Sequence, residues 1–173
     1  MLIFETQRLL VRRYTSEDAD NFFRFSGNAE VMRYIRPVIP RQESDTFLEA
    51  NIKLYDAYPN TGRWAAIDKA DGRYIGSFSI LTMDGNEKKL HIGYALLPEY
   101  WGKGFASELL KTGMRYFFTH HQPDILYAIT EIPNTASQNV LIKAGFKQTG
   151  TLNEEGKTAL VYSFNREALP NNG

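Results

Sequence analysis

The segment from Lys89 to Ile132 limits this chain to few folds. Residues 89–97 read as a strand. The positions Ala106, Leu109, Leu110, Gly113, Met114 and Phe117 recur at the i, i+3, i+4, i+7 spacing of an amphipathic helix over 104–118, and after Pro123 the run Ile125–Ile132 again reads as a strand. Two strands joined through a packed helix run parallel, by a right-handed crossover. A parallel pair therefore lies inside whatever sheet the chain forms.

The flanks supply antiparallel partners. Residues 63–68 and 73–82 are separated by Lys69-Ala70-Asp71-Gly72, a hairpin signal, and Asp84-Gly85-Asn86 makes a second break before the strand at 89–97. Upstream, residues 8–14 alternate like a strand. Thr15 precedes the acidic first turn of a helical stretch that reaches about Ile35, with a break at Gly27 and a stop at Pro37 and Pro40. A helix is expected over 43–58 with Phe47, Ile52 or Leu48, and Tyr55 inward. Another covers 135–144, with Ala136, Val140, Leu141 and Ala144 on one face and Gly145 as its stop. Strands at 146–151 and 158–165 close the series, and the tail Leu169–Gly173 reads as frayed. The expectation is a single α/β domain over 1–173: a mixed, twisted sheet of about seven strands with helices on both faces.

Composition removes several classes of function. The chain has 173 residues and no cysteine, which excludes disulfides, thiolate metal sites and a cysteine nucleophile. Lys+Arg 20 balances Asp+Glu 20, so no broad basic face for nucleic acid is expected. No apolar run approaches the ~20 residues that span a bilayer, and the N-terminus lacks a secretory pattern. A cytoplasmic location without nucleic-acid or membrane partners is the expectation.

The chemistry concentrates between the strand at 89–97 and the helix that follows, in Leu96-Leu97-Pro98-Glu99-Tyr100-Trp101-Gly102-Lys103-Gly104-Phe105-Ala106-Ser107. Small residues at 102, 104 and 106 let backbone amides approach a ligand, and a helix N-terminus adds unpaired N–H groups and a positive dipole end. Such a place suits a pyrophosphate. It equally suits a tight strand-to-helix turn that uses glycine. No Gly-Lys-Ser/Thr follows, so it is not a Walker loop, and the spacing is not that of a Rossmann fingerprint.

Trp101-Gly102-Lys103-Gly104-Phe105-Ala106 resembles the acetyl-CoA pyrophosphate loop of the GNAT N-acetyltransferases, Q/R-x-x-G-x-G/A, with Trp101 in place of the usual Gln or Arg. That replacement is similar to the branch of ribosomal-protein N-terminal acetyltransferases. Glu5-Thr6-Gln7-Arg8-Leu9-Leu10-Val11-Arg12 resembles the opening strand of that branch. Ile92-Gly93-Tyr94 is similar to its strand before the loop. Asn134-Thr135-Ala136-Ser137-Gln138-Asn139, running on to Lys143-Ala144-Gly145-Phe146, resembles its second cofactor motif. The resemblance covers Glu5 to about Phe164. It implies the GNAT acyl-CoA N-acyltransferase fold and transfer of acetyl from acetyl-CoA, without a metal, to a primary amine on a protein N-terminus or a small molecule, by direct attack in a ternary complex. It implies that the strands at 89–97 and 125–132 splay to admit the pantetheine arm. That arm would bond to backbone near Leu96 and be bordered by Asn134 and Asn139. Trp101, Gly102, Lys103, Gly104, Phe105, Ala106 and Ser107 would hold the pyrophosphate. A monomer or a homodimer suits this reading.

Direct attack needs a neutral amine, a polarised carbonyl and a proton for the departing thiolate. Ser137 stands where the resemblance places a hydroxyl near the sulfur; as an ordinary residue in a helix's first turn, it would be capped by Asn134. Leu141 replaces a tyrosine donor found in many relatives. His91 aligns, with a one-residue gap, with the glutamate base of other branches, and a reference pKa of ~6.5 suits the task. Glu131 is a competing base. His120 and His121 sit where a helix C-terminus favours cations, and neighbouring positions on a helix do not share a metal. Arg33, Tyr34, Tyr58, Trp64 and Phe78 flank the acceptor side in this reading or belong to the core. The rival readings are a GNAT-fold module that binds acyl-CoA without catalysis, and an unrelated nucleotide-binding α/β protein.

Overall fold

The computed structural model describes residues 1–154 and 156–170. In chain order, strands β1 (Leu2–Glu5) and β2 (Leu9–Arg13) lead to helices α1 (Ala19–Ser26), α2 (Ala29–Met32) and α3 (Arg41–Lys53). Strands β3 (Gly62–Asp68), β4 (Tyr74–Met83) and β5 (Asn86–Leu96) follow, then α4 (Phe105–His120), β6 (Ile125–Glu131), α5 (Thr135–Lys143), β7 (Lys147–Glu154) and β8 (Lys157–Asn165). All eight strands form one sheet in the order β1-β2-β3-β4-β5-β6-β8-β7. Every neighbouring pair is antiparallel except β5–β6, the pair that α4 joins.

The sheet has one strand more than the seven expected. The addition is β1, a four-residue edge strand too short to show a pattern in sequence, held against β2. The long helix of the N-terminal half begins two residues earlier than expected, with Pro40 as its N-cap, and ends at Lys53. Tyr55 lies beyond its end but still turns inward, where its hydroxyl donates to the Arg63 carbonyl and accepts the Tyr14 amide at 3.1 Å. On α5, Leu141 is buried but Ala136 is exposed. Of the tail expected to fray, Asn171–Gly173 lie outside the described residues.

Strand alternation divides the core. Trp64 and Ala66 of β3 face one side with the apolar stripe of α4, where Leu109, Leu110, Met114 and Phe117 are all buried. Ala65 and Ile67 face the other, under Phe22 and Phe25 of α1 and Leu48 of α3. Helices thus cover both faces. Each fully buried side chain of this size contributes ~1.5–3 kcal/mol. Gly113 permits the close approach of α4, because a Cβ there would overlap the Phe78 ring. Beside α1, Asp18 is buried against Arg12 through two contacts of 2.7 and 2.8 Å and accepts the Thr15 amide at 2.8 Å, which closes the turn that the sequence marks as a helix start.

The functional consequence lies at β5–β6. Their parallel pairing is confined to Leu90–Leu126 and His91–Tyr127. From Ile92 onward the strands part. At ~3.3 Å per residue, the five positions Ile92–Leu96 give an unpaired edge roughly 16 Å long.

Candidate active site at the splayed strands

The strand-to-helix turn leaves a row of backbone amides free. Gly102 (φ 72°) and Gly104 (φ 81°) both occupy the left-handed region that side chains disfavour, and Gly104 is the N-cap of α4 with no side chain capping it. The first amide of the helix to find a backbone acceptor is that of Glu108, bonded to the Gly104 carbonyl at 3.1 Å. The six amides from Gly102 to Ser107 therefore donate to nothing among the described residues, at the positive end of a 16-residue helix. Phe105 is buried, so this segment presents backbone rather than side chain.

Three side chains hold the turn in place. The Trp101 indole N–H donates to the Leu96 carbonyl at 2.7 Å, tying the loop to the end of β5. The aromatic residue that replaces the usual Gln or Arg is thus a brace, and it already occupies a lone pair of the carbonyl expected to meet pantetheine. Arg8 reaches across from β2's approach: Nε pairs with Glu108 at 2.7 Å, NH1 donates to the Lys103 carbonyl at 3.0 Å, and the guanidinium lies 4.2 Å over the Phe105 ring. Thr6 adds a hydroxyl to Glu108 at 2.5 Å. Burial pushes the Glu108 carboxyl up, but the Thr6 and Arg8 donors outweigh it and hold it below the ordinary carboxylate value. Neutralised in this way, Glu108 leaves no free negative charge in the first turn of α4.

Next to the loop, the gap between β5 and β6 opens into a cavity of about 430 Å³. His91, Gly93 and Tyr94 enter it from β5, Thr130 from β6, and Asn134 and Ser137 from the start of α5. Asn134 caps α5 by accepting the Ser137 amide at 3.2 Å, which fixes the Ser137 backbone at the rim. Two buried hydroxyls here, Tyr94 Oη and Thr130 Oγ1, have no hydrogen-bond partner among the described residues. Orphaned buried hydroxyls are rare and call for a reason. Burial raises the Tyr94 hydroxyl to about 12, offset slightly by the neighbouring Ser137 hydroxyl, which lies close without forming a bond to it. Burial, reinforced by the charge of Arg63, lowers His91 to about 4. His91 is therefore neutral at physiological pH.

The structure brings His91, Asn134 and Ser137 to one space. Glu131 does not join them: it does not line the cavity, and it pairs with Lys157 of β8 at 3.6 Å. Asn139 is exposed on α5, outside the cavity lining. Of the residues considered for the acceptor side, Trp64 and Phe78 are fully buried and stack on each other at 6.0 Å, so they belong to the core. Tyr34 lines the cavity, Arg33 lies over the Tyr34 ring at 5.2 Å, and Tyr58 is exposed elsewhere. Leu141 is buried in the core. His120 and His121 serve α4's end: each ring nitrogen meets a backbone carbonyl, of Tyr116 and Asn60, and burial lowers His121, against the cationic role expected of it.

Sequence reasoning did not single out Tyr94, Thr130, Arg36, Arg63, Thr6 or Arg8 as functional. Tyr94 stood within Ile92-Gly93-Tyr94, but alternation assigns it to the face opposite His91. Both reach the cavity because β6 has left that edge open. Among the described residues no cluster of three or more His, Asp or Glu could hold a metal ion, and no helix is long and apolar enough to cross a membrane.

Comparison with known proteins agrees with this geometry. A family profile described as "Acetyltransferase (GNAT) domain" matches residues 8–147. The chain is 30% identical over 167 residues to the uncharacterized N-acetyltransferase p20 of Bacillus licheniformis, covering 92% of each. It is 29% identical over 154 residues to the uncharacterized N-acetyltransferase YoaA of Bacillus subtilis, covering 88% of this chain and 86% of that one. It is 27% identical over 146 residues to the spermidine N(1)-acetyltransferase of Escherichia coli, covering 84% and 76%. Among solved structures, a GNAT-family acetyltransferase from Bacillus anthracis superposes with a TM-score of 0.82 at 22% identity, covering 96% of this chain and 99% of that one. The ribosomal L7/L12 α-N-protein acetyltransferase RimL in complex with coenzyme A does so with 0.78 at 17%, covering 97% and 99%. With four-fifths of its length inside the matched profile and a split parallel pair beside a free-amide loop, the chain belongs to the GNAT family of N-acetyltransferases.

Proposed function

We propose that this enzyme moves an acetyl group from acetyl-CoA to a primary amine by direct attack within a ternary complex. The observation that carries this is the run of six unengaged amides from Gly102 to Ser107, set beside the unpaired edge of β5. The amides and the α4 dipole take the pyrophosphate, with Arg8 adding a cation at the rim. The unpaired edge of β5 offers backbone groups to the pantetheine amides, with the Leu96 carbonyl shared with Trp101. Asn134 borders the arm from the α5 side. Asn139, exposed, would act only on a part of the cofactor outside the cavity.

In the transfer, the amine's N–C bond forms and the C–S bond breaks; the proton shed by nitrogen passes to His91 and on to solvent, and the departing thiolate takes a proton from solvent. Ser137 and Tyr94 donate hydrogen bonds to the sulfur as negative charge develops on it. With a hydroxyl near 12 against ~8.5 for an ordinary thiol, Tyr94 stabilises the thiolate rather than surrendering its proton. His91, neutral but weakened, accepts the proton of the cationic nitrogen only after the N–C bond has made that nitrogen acidic. Glu131 has no part in this scheme because Lys157 holds it elsewhere. The relatives are named for two kinds of acceptor, spermidine and a protein N-terminus. The proposal includes a cytoplasmic location, where both acetyl-CoA and such amines are found.

The test is release of coenzyme A thiol on mixing enzyme, acetyl-CoA and amine. The chain has no cysteine, so a thiol-reactive dye reads the product alone. Amine-dependent colour supports the reading. Tight acetyl-CoA binding with no release from peptide N-termini, polyamines, aminoglycosides or amino acids would replace it with a non-catalytic acyl-CoA module.

A further inference from the structure

The acceptor side of the cavity carries two arginines that pair with no carboxylate among the described residues. Arg63 of β3 pairs in register with Ser79 of β4, which pairs with Gly93 of β5, so these three side-chain positions point to one face of the sheet. Gly93 has no room for a Cβ, which would lie 2.7 Å from Ser79 Oγ, and its hydrogen leaves the floor of the cavity low beneath Arg63. Arg36, from the segment between α2 and α3, enters from above. Both guanidinium carbons lie over the Phe47 ring, at 4.7 Å for Arg36 and 5.0 Å for Arg63, and Phe47 is backed by Phe22 in a stack at 5.8 Å. Both arginines line the same cavity as His91 and Ser137.

Neither guanidinium has an ion pair or a hydrogen bond among the described residues. Burial lowers both, and the charge of Arg36 lowers Arg63 further, with no carboxylate acting on either. Among the described residues, Asp84 is the one acidic residue that lines the cavity. It is exposed on the β4–β5 turn and pairs with neither arginine. Two like charges packed on one ring, each partly desolvated, are unfavourable until an anion joins them. Planar guanidinium forks fit carboxylate and phosphate oxygens in pairs.

We infer that the acceptor is a primary amine bearing a carboxylate or phosphate, held by Arg36 and Arg63 with its nitrogen toward His91 and the cofactor gap, and that polyamines are rejected. The inference rests on the acetyl transfer proposed above and adds the substrate class. It separates this chain from its relative named for spermidine, since a polycation would meet the two arginines head on.

The experiment compares four acceptors by thiol release: a C-terminally amidated tetrapeptide with a free N-terminus and aspartate at its second and third positions, the same amidated peptide with asparagine, O-phosphoethanolamine, and spermidine. The aspartate peptide or O-phosphoethanolamine should exceed the asparagine peptide in kcat/KM by roughly tenfold or more, the value of one charge-assisted contact, and spermidine should be slowest. Whichever of the two leads identifies the anion as carboxylate or phosphate. In Arg63→Gln and in Arg36→Gln that preference should collapse toward unity, mainly through KM. Spermidine equal to or faster than both anionic acceptors on the parent enzyme, or a preference that survives in both variants, overturns the inference. If no amine is acetylated, the proposed activity fails, and the subsite is judged by calorimetry. The N-acetylated aspartate peptide should then bind the parent at least tenfold more tightly than it binds either folded variant, and equal affinities reject the subsite.

Discussion

Tyr94→Phe should make the enzyme more stable and slower. The Tyr94 hydroxyl is buried, without a hydrogen-bond partner among the described residues, and next to Ser137. A buried unsatisfied hydroxyl costs ~1–3 kcal/mol, and phenylalanine keeps the ring packing while removing that cost. The low end of that range, about 1 kcal/mol, is expected. For a domain of this length that raises Tm by about 2–4 °C. The same hydroxyl donates to the departing sulfur in the proposed mechanism. A hydrogen bond to a charged group contributes ~1.5–3 kcal/mol, so kcat should fall roughly ten- to a hundredfold when chemistry limits the rate. Acetyl-CoA affinity should hold, because the ground-state thioester sulfur carries no charge. Thermal denaturation, calorimetry with acetyl-CoA and single-turnover rates measure the three quantities. A purely structural Tyr94 gives the opposite pattern: a less stable variant with an unchanged single-turnover rate refutes the reasoning.

Ser137→Ala should lower kcat while leaving acetyl-CoA affinity nearly intact, as measured by single-turnover rates and calorimetry; an unchanged rate removes Ser137 from the mechanism. Gly104→Val should weaken acetyl-CoA binding on calorimetry, and because φ is 81° it should also cost ~1–2 kcal/mol of stability in denaturant titration; undiminished affinity in the folded variant rejects the amide cradle. His91 is lowered to about 4, below its unfolded value, so folding favours its neutral form: its contribution to stability is full above about pH 6.5 and is lost as pH falls toward 4. His91→Gln should flatten that part of the pH–stability curve and change the acidic limb of kcat/KM, and a variant that matches the parent in both removes the residue from consideration. Asp18→Asn removes the charge that faces Arg12 and, because Arg12 is a third exposed, should cost ~1–3 kcal/mol by chemical denaturation; burial pulls Asp18 up but Arg12 and Thr15 hold it below its ordinary value, so the parent should lose this stabilisation only as pH falls below the unfolded carboxylate's range.

Local patterns were legible in the sequence, and long-range ones were not. The spacing of Leu109, Leu110, Gly113, Met114 and Phe117 defined α4 and with it the parallel β5–β6 pair. The glycines at 102 and 104 marked the loop, and Asn134 with Ser137 marked the start of α5. Each of these readings depends on neighbours within one turn. Arg8 and Thr6 act on Lys103 and Glu108 some hundred residues away, so no window of sequence joins them. Likewise nothing local says that β8 inserts between β6 and β7, where Lys157 captures Glu131. Trp64 and Phe78 show the same limit from the other side: an aromatic in a strand fits a groove as well as a core, and only the placement of Gly113 against Phe78 decides for the core. Arg63 became informative only when the β3–β4–β5 register set it in line with Gly93.

Direct transfer requires both substrates to be bound at once in the gap between β5 and β6. Initial rates of thiol release, measured across a matrix of acetyl-CoA and anionic-amine concentrations, test for that. Double-reciprocal lines that intersect, with no thiol released before amine is added, are the predicted result. Parallel lines, together with a burst of thiol from acetyl-CoA alone, would mean that an enzyme side chain takes the acetyl group first, and would rule out direct transfer.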